Sequence, residues 1–169
     1  MQRVRIATAT LALFIMAGGA SADDSAQAPS GIVLGSSNQL LMDGSSALEA
    51  GRYEEGVRLT LAGLEQPNNP HDEASAHTNI CAGYAALKRW KDALEHCNRA
   101  LELDLGNWRT YNNRAAVLTA LGLFDLAIVD VNKGLILAPD SSTLQKSLAV
   151  VNRHRDSQAR DRWRRPNKA

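Results

Sequence analysis

The chain has 169 residues, of which 44% are hydrophobic and 22% are charged. This balance is typical of a globular protein, and two cysteines are too few for a disulfide-dense scaffold. A formal net charge of +1 excludes a strongly basic nucleic-acid-binding protein, so we expect no nucleic-acid partner. Only 5% of the residues are aromatic, which disfavours an all-β sandwich or barrel and favours an all-α fold.

Residues 1–22 have the features of a cleavable signal peptide. Arg3 and Arg5 precede an apolar stretch over residues 6–17, and the small residues of Ala20-Ser21-Ala22 suit a signal peptidase. The apolar stretch is shorter than the roughly 20 residues that a membrane-spanning helix needs. We therefore expect cleavage after Ala22 and a periplasmic or secreted protein.

A repeat organises most of the remaining sequence, after a small, polar segment at residues 23–35 that we expect to be a flexible linker. Shifting the sequence by 34 residues aligns several pairs: Asn79 with Asn113, Ala82 with Ala116, Trp90 with Phe124, Ala93 with Ala127 and Leu101 with Leu135. Each unit contains two stretches of helical apolar spacing, separated by a short turn. The sequence therefore predicts stacked helical hairpins.

Residues 93–105 and 127–139 resemble the second helix of a tetratricopeptide repeat (TPR), and residues 111–118 resemble its first helix. A period of 34 residues is also that family's period. A looser copy lies upstream around residues 50–57, offset by 37, with the extra residues in an extended loop from Gln66 to Asp72. The resemblance implies an all-α, right-handed α-solenoid of three units, placed at about 36–69, 73–106 and 107–140.

The last unit of such a stack needs a cap, and residues 141–162 are predicted to supply it as a helix. Leu144, Leu148 and Val151 lie on one side of this helix and form its apolar face. Residues 163–169 form a basic tail, and the wider segment 153–169 has seven basic and two acidic residues. Two interpretations stay open: weak contact with an anionic membrane surface, or a solvated helix end.

The resemblance implies that the first helix of each unit lines a concave groove, which would bind an unidentified partner protein or peptide. An Asn amide both donates and accepts, so Asn79 and Asn113 are suited to holding a peptide backbone, and Arg109 to holding a carboxylate. Only Asn79 and Arg109 match the family's carboxylate clamp. Projecting the first helix of each unit along its axis shows which side chains would face this groove. They are Asn38, Leu41, Met42, Ser45, Ser75, Thr78, Asn79, Ala82, Arg109, Asn112, Asn113 and Ala116.

His77, Cys81 and Cys97 fall within one unit and allow three interpretations. The cysteines could be buried thiols, a possible disulfide, or part of a metal or reactive-thiol site with His77. No phosphate-binding loop, nucleophile elbow or metal motif is present, so we expect no enzyme activity, no cofactor and no metal.

The sequence thus predicts a protein-interaction module of the cell envelope that acts as an adaptor, scaffold or assembly factor. The alternative is a thiol- or metal-dependent envelope factor that uses His77, Cys81 and Cys97.

Overall fold

The computed structural model describes residues 38–164, and this part of the chain contains seven helices and no strand. The predicted signal peptide, the linker and residues 165–169 of the tail lie outside the described residues. The all-α expectation is confirmed. The helices are α1 (Gln39–Glu49), α2 (Tyr53–Leu64), α3 (Pro70–Ala86), α4 (Trp90–Leu103), α5 (Trp108–Ala120), α6 (Phe124–Leu137) and α7 (Ser142–Arg164).

The helices pair in chain order into three units, α1 with α2, α3 with α4 and α5 with α6. Further contacts between α2 and α3 and between α4 and α5 join each unit to the next, and α7 packs on the last unit. Because every helix packs mainly on its neighbours in sequence, the described residues form a solenoid.

Asparagine side chains cap the first helix of every unit. Asn38 accepts from the backbone N–H of Leu40, Asn69 accepts from that of Asp72 at 2.9 Å, and Asn107 accepts from that of Arg109 at 3.0 Å. Each cap provides an acceptor for an N–H group that has no partner within its helix.

The predicted loop from Gln66 to Asp72 is shorter in the structure, because α3 already begins at Pro70. Proline suits the first position of a helix, and the carboxylates of Asp72 and Glu73 in the first turn are stabilised by the helix dipole. Part of the segment inserted in the first repeat period is therefore helical. The second unit starts before residue 73, where it was predicted to begin.

Small residues allow the two helices of a unit to approach closely. A Cβ atom on Gly44 would overlap the Thr60 side chain, and one on Gly56 would meet Leu48 Cγ at 2.5 Å. Ala93 and Ala127 occupy the same position as Gly56 in the later units, and both are fully buried. At these points, one helix of each pair contacts its partner through a residue with no side chain or only a methyl group.

The predicted capping helix corresponds to α7. Leu144 and Val151 are buried in a core shared with Leu118 and Val131. A Cβ atom on Gly134 of α6 would lie 2.8 Å from Leu144 Cδ2, so this glycine makes room for α7. Beyond Val151, α7 is largely exposed. None of the described helices has the length and apolar character required to cross a membrane.

Candidate functional site

The first helices α1, α3 and α5 lie side by side and present one continuous face. Side chains spaced one helical turn apart reach this face from each helix. We call it the first-helix face. It consists of Met42 and Ser45 from α1, Ser75 and Asn79 from α3, and Arg109, Asn113 and Ala116 from α5.

The middle of the first-helix face is polar. Asn79 is partly exposed, and its Nδ2 donates to Ser45 Oγ at 3.5 Å. Asn113 occupies the equivalent place on α5 and is only 2% exposed. Its Nδ2 is buried and donates to no acceptor among the described residues. An unpaired buried donor of this kind costs free energy.

One cation lies at the end of this polar strip. The exposed guanidinium of Arg109 lies over the Trp108 ring, with Cζ 4.7 Å from the ring centroid. Arg109 forms no ion pair with another described residue. It therefore has donors available for a carboxylate.

Besides Asn113, five other predicted groove residues are buried in the structure, and the groove as a whole stays a prediction. Asn38 caps α1, and its Nδ2 donates to the Gly63 carbonyl oxygen at 2.7 Å. Leu41 also packs against Gly63. Asn38, Leu41, Thr78, Ala82 and Asn112 are all less than 9% exposed.

The physical reason is that these positions face a neighbouring helix. Thr78 Oγ1 lies 2.7 Å from Thr110 Oγ1, which ties α3 to α5. Asn112 Oδ1 accepts from Ser147 Oγ at 2.7 Å, which ties α5 to α7. A projection onto isolated helices does not show that the stacking of units covers these positions.

The structure joins Cys81 of α3 and Cys97 of α4 in a disulfide whose Cα atoms are 5.2 Å apart. Both residues are fully buried. The alternative of a thiol or metal site with His77 is wrong for this structure, because both sulfurs are bonded to each other. Within residues 38–164, no three His, Cys, Asp or Glu side chains are arranged to hold a metal ion.

His77 instead pairs with His96, a residue that the sequence analysis missed. Their Nδ1 atoms are 2.9 Å apart, and the Tyr84 ring lies against His96. Burial lowers the pKa of His77, and a charge on His96 would lower it further. Burial also lowers the pKa of His96, against the opposing effect of Glu95. The pair therefore favours neutral imidazoles.

A second missed feature is the ion pair between Arg114 of α5 and Asp130 of α6. Arg114 donates from Nε and Nη2 to the two carboxylate oxygens, both at 2.7 Å, and from Nη1 to Asn98 Oδ1 of α4 at 2.9 Å. Hydrogen bonding to Asp130 raises the pKa of Arg114. This network connects the third unit to the second.

Comparison with known proteins identifies the architecture. No protein-family model matches the chain. The first TPR domain of human RPAP3 superposes with a TM-score of 0.65 at 24% identity, covering 72% of this chain and 93% of that domain. The chain has the fold of a tetratricopeptide-repeat (TPR) domain.

Two further proteins are similar to this chain. The first TPR of Spaghetti (RPAP3), bound to the HSP90 peptide SRMEEVD, has a TM-score of 0.62 at 24% identity and covers 68% of this chain and 91% of its own. Mouse (Mus musculus) sperm-associated antigen 1 is 34% identical over 110 residues, or 65% of this chain. The match spans 12% of that protein's length. The chain is thus similar to one part of a much longer relative.

Acidification should destabilise the protein through the His77–His96 pair. Below the ordinary histidine pKa of about 6.5, the unfolded chain binds more protons than the folded pair, whose pKa values are lowered. The stabilisation that the neutral histidine pair contributes above pH 6.5 is therefore lost as the pH falls through the pKa values of the two histidines in the folded protein. Urea unfolding monitored by circular dichroism between pH 7.5 and 5 should show the midpoint decreasing.

The variant His96→Gln should weaken this pH dependence, whereas His71→Gln at an exposed position should leave it unchanged. Neither variant alters the charged residues near the pair, which are Glu73, Asp92, Glu95, Arg99 and Glu102. Equal pH dependence in wild type and His96→Gln would contradict the assignment.

Proposed function

We propose that this TPR protein binds an extended segment of a partner protein on the first-helix face and acts as an adaptor or assembly factor in the cell envelope. The observation that carries the proposal is the buried Nδ2 of Asn113, which lies on this face without an acceptor among the described residues. A backbone carbonyl of a bound segment would accept from it once the Asn113 side chain turns toward the surface, and the partly exposed amide of Asn79 would hold the segment one helix away.

The comparisons support binding of a peptide, because the similar TPR of Spaghetti (RPAP3) is bound to the HSP90 peptide SRMEEVD. That peptide contains two glutamates and ends in an aspartate. In this chain, Arg109 is the only cationic side chain of the first-helix face. We therefore propose that recognition depends mainly on the peptide backbone, with Arg109 contributing one charge contact.

Two observations support an envelope location. The sequence of residues 1–22 has the features of a cleaved signal peptide. The disulfide between Cys81 and Cys97 suits an oxidising compartment, since thiols are kept reduced in the cytosol.

Site-specific photocrosslinking tests the proposal. A photoreactive amino acid replaces Ser75 on the first-helix face. As a control, it replaces Arg58 on the second helix of the first unit. Both variants are expressed in cells that export the protein to the cell envelope. We expect a defined adduct from position 75 and none of the same mass from position 58. Mass spectrometry then identifies the partner.

The triple variant N79A/R109A/N113A, with the crosslinker at position 75, should lose the adduct. Circular dichroism should show unchanged helicity, since none of these residues caps a helix. Persistence of the adduct in a folded triple variant, or the same adduct from both crosslinker positions, would overturn the proposal.

A further inference from the structure

The outward face of α6 differs in chemistry from the same face of α4 and α2. Leu126, Val129 and Ile136 of α6 are 55%, 50% and 79% exposed. We call these three residues the apolar stripe. The repeat offsets of 34 and 37 residues place charged side chains at the equivalent positions in the earlier units, namely Asp92, Glu95 and Glu102 in the second and Glu55, Arg58 and Glu65 in the first.

The apolar stripe has no counterpart in the earlier units. In the earlier units, ion pairs occupy the start of the same face, between Arg52 and Glu55 at 2.9 Å and between Arg89 and Asp92 at 2.7 Å. Leu123 replaces the arginine in the third unit and is 45% exposed. Because α2 and α4 pack in the same way with charged residues at these positions, the apolar stripe is not explained by packing within the solenoid.

A cavity of about 400 Å³ adjoins the beginning of the apolar stripe, between α6 and the exposed part of α7. Leu123, Phe124 and Leu126 form its apolar side, and Arg155, Gln158 and Arg162 border it from α7. Asp125 also borders it. Arg155 also lies 3.5 Å from Asp156 in an exposed ion pair, and with two arginines and one aspartate the charged lining of the cavity is basic overall.

We propose that the apolar stripe and this cavity bind an acidic amphipathic helix of a partner protein. Its apolar side chains would pack on Leu126, Val129 and Ile136, and its carboxylates would pair with Arg155 and Arg162. A second copy of this chain fits less well, because a contact that repeats the same surface brings each basic rim next to its own image. The surface lies on a second helix of the repeat, separate from the first-helix face.

A designed peptide provides the probe. It is a fluorescent amphipathic helix of about 18 residues with Leu at positions i, i+3, i+4 and i+7 and Glu elsewhere. Fluorescence anisotropy with the full chain should show saturable binding, and a peptide with Lys in place of Glu should not bind. The variant L126Q/V129Q/I136Q should raise the Kd at least about tenfold, and R155Q/R162Q should raise it and weaken its salt dependence.

The matched control is D92N/E95Q/E102Q, which changes the equivalent positions of the second unit and should leave the Kd unaltered. The variant N79A/R109A/N113A should also bind the probe normally, which separates this surface from the proposed peptide site. Three outcomes would overturn the proposal: equal binding by L126Q/V129Q/I136Q, a concentration-dependent dimer in sedimentation velocity that this variant abolishes, or stripe-dependent cosedimentation with anionic phosphatidylglycerol vesicles in the absence of peptide binding.

Discussion

Replacing Asp130 with alanine should lower the free energy of unfolding by about 3 kcal/mol, at the lower end of the range for breaking a buried ion pair. Asp130 is 2% exposed and provides both acceptors for the guanidinium of Arg114, whose side chain is 22% exposed. Without the carboxylate, a partly buried cation keeps only Asn98 as a hydrogen-bond acceptor. Urea unfolding at neutral pH measures the change.

An exposed ion pair in the second unit provides the control. Arg89 and Asp92 are also 2.7 Å apart, but their side chains are 55% and 43% exposed. Asp92→Ala should therefore cost no more than about 1 kcal/mol. The double variant R114L/D130L should recover much of the loss, because it removes both charges and restores apolar packing. Similar losses from Asp130→Ala and Asp92→Ala would show that burial of the pair has little effect.

Reducing the disulfide should destabilise the chain by about 3 kcal/mol, since it closes a loop with a sequence separation of 16. Most of this effect arises in the unfolded chain, whose freedom the crosslink restricts. The bond is inaccessible in the folded state because Cys81 and Cys97 are fully buried. We therefore expect native protein to resist dithiothreitol until it unfolds, and mass spectrometry under native and denaturing conditions would detect the difference.

The third unit suggests a suitable control, because it carries Ala115 and Val131 where the second has Cys81 and Cys97. The variant C81A/C97V should have nearly the stability of reduced wild type and should not respond to dithiothreitol. If oxidised wild type and C81A/C97V unfold at the same urea concentration, the crosslink contributes nothing to stability.

The fold was predictable from the sequence because the repeat imposes the same helical pair several times. Small residues such as Ala93 and Ala127 mark the closest approach of each pair, and Leu144 and Val151 identify the capping helix. The start of α3 was harder, because its cap at Asn69 and the following Pro70 lie in a segment that also resembles a loop.

The first-helix face was only partly predictable. A helical projection locates a side chain on its own helix but does not show how deeply the neighbouring unit covers it. Asn112 and Asn113 illustrate this, since adjacent positions are both buried, yet one accepts from Ser147 and the other has an unpaired donor. The contact between His77 and His96 joins two helices of a single unit. Because it does not recur in the other units, no repeated pattern in the sequence indicates it.

The disulfide also has a consequence for the connectivity of the chain. The turn between α3 and α4 contains Lys88, which adopts a left-handed backbone conformation with φ of 59° and lies between the two cysteines. A protease that cuts this exposed turn would leave α1–α3 and α4–α7 attached through sulfur. The two halves of the solenoid would then remain a single molecule without a continuous backbone, and only a reductant acting after unfolding would separate them.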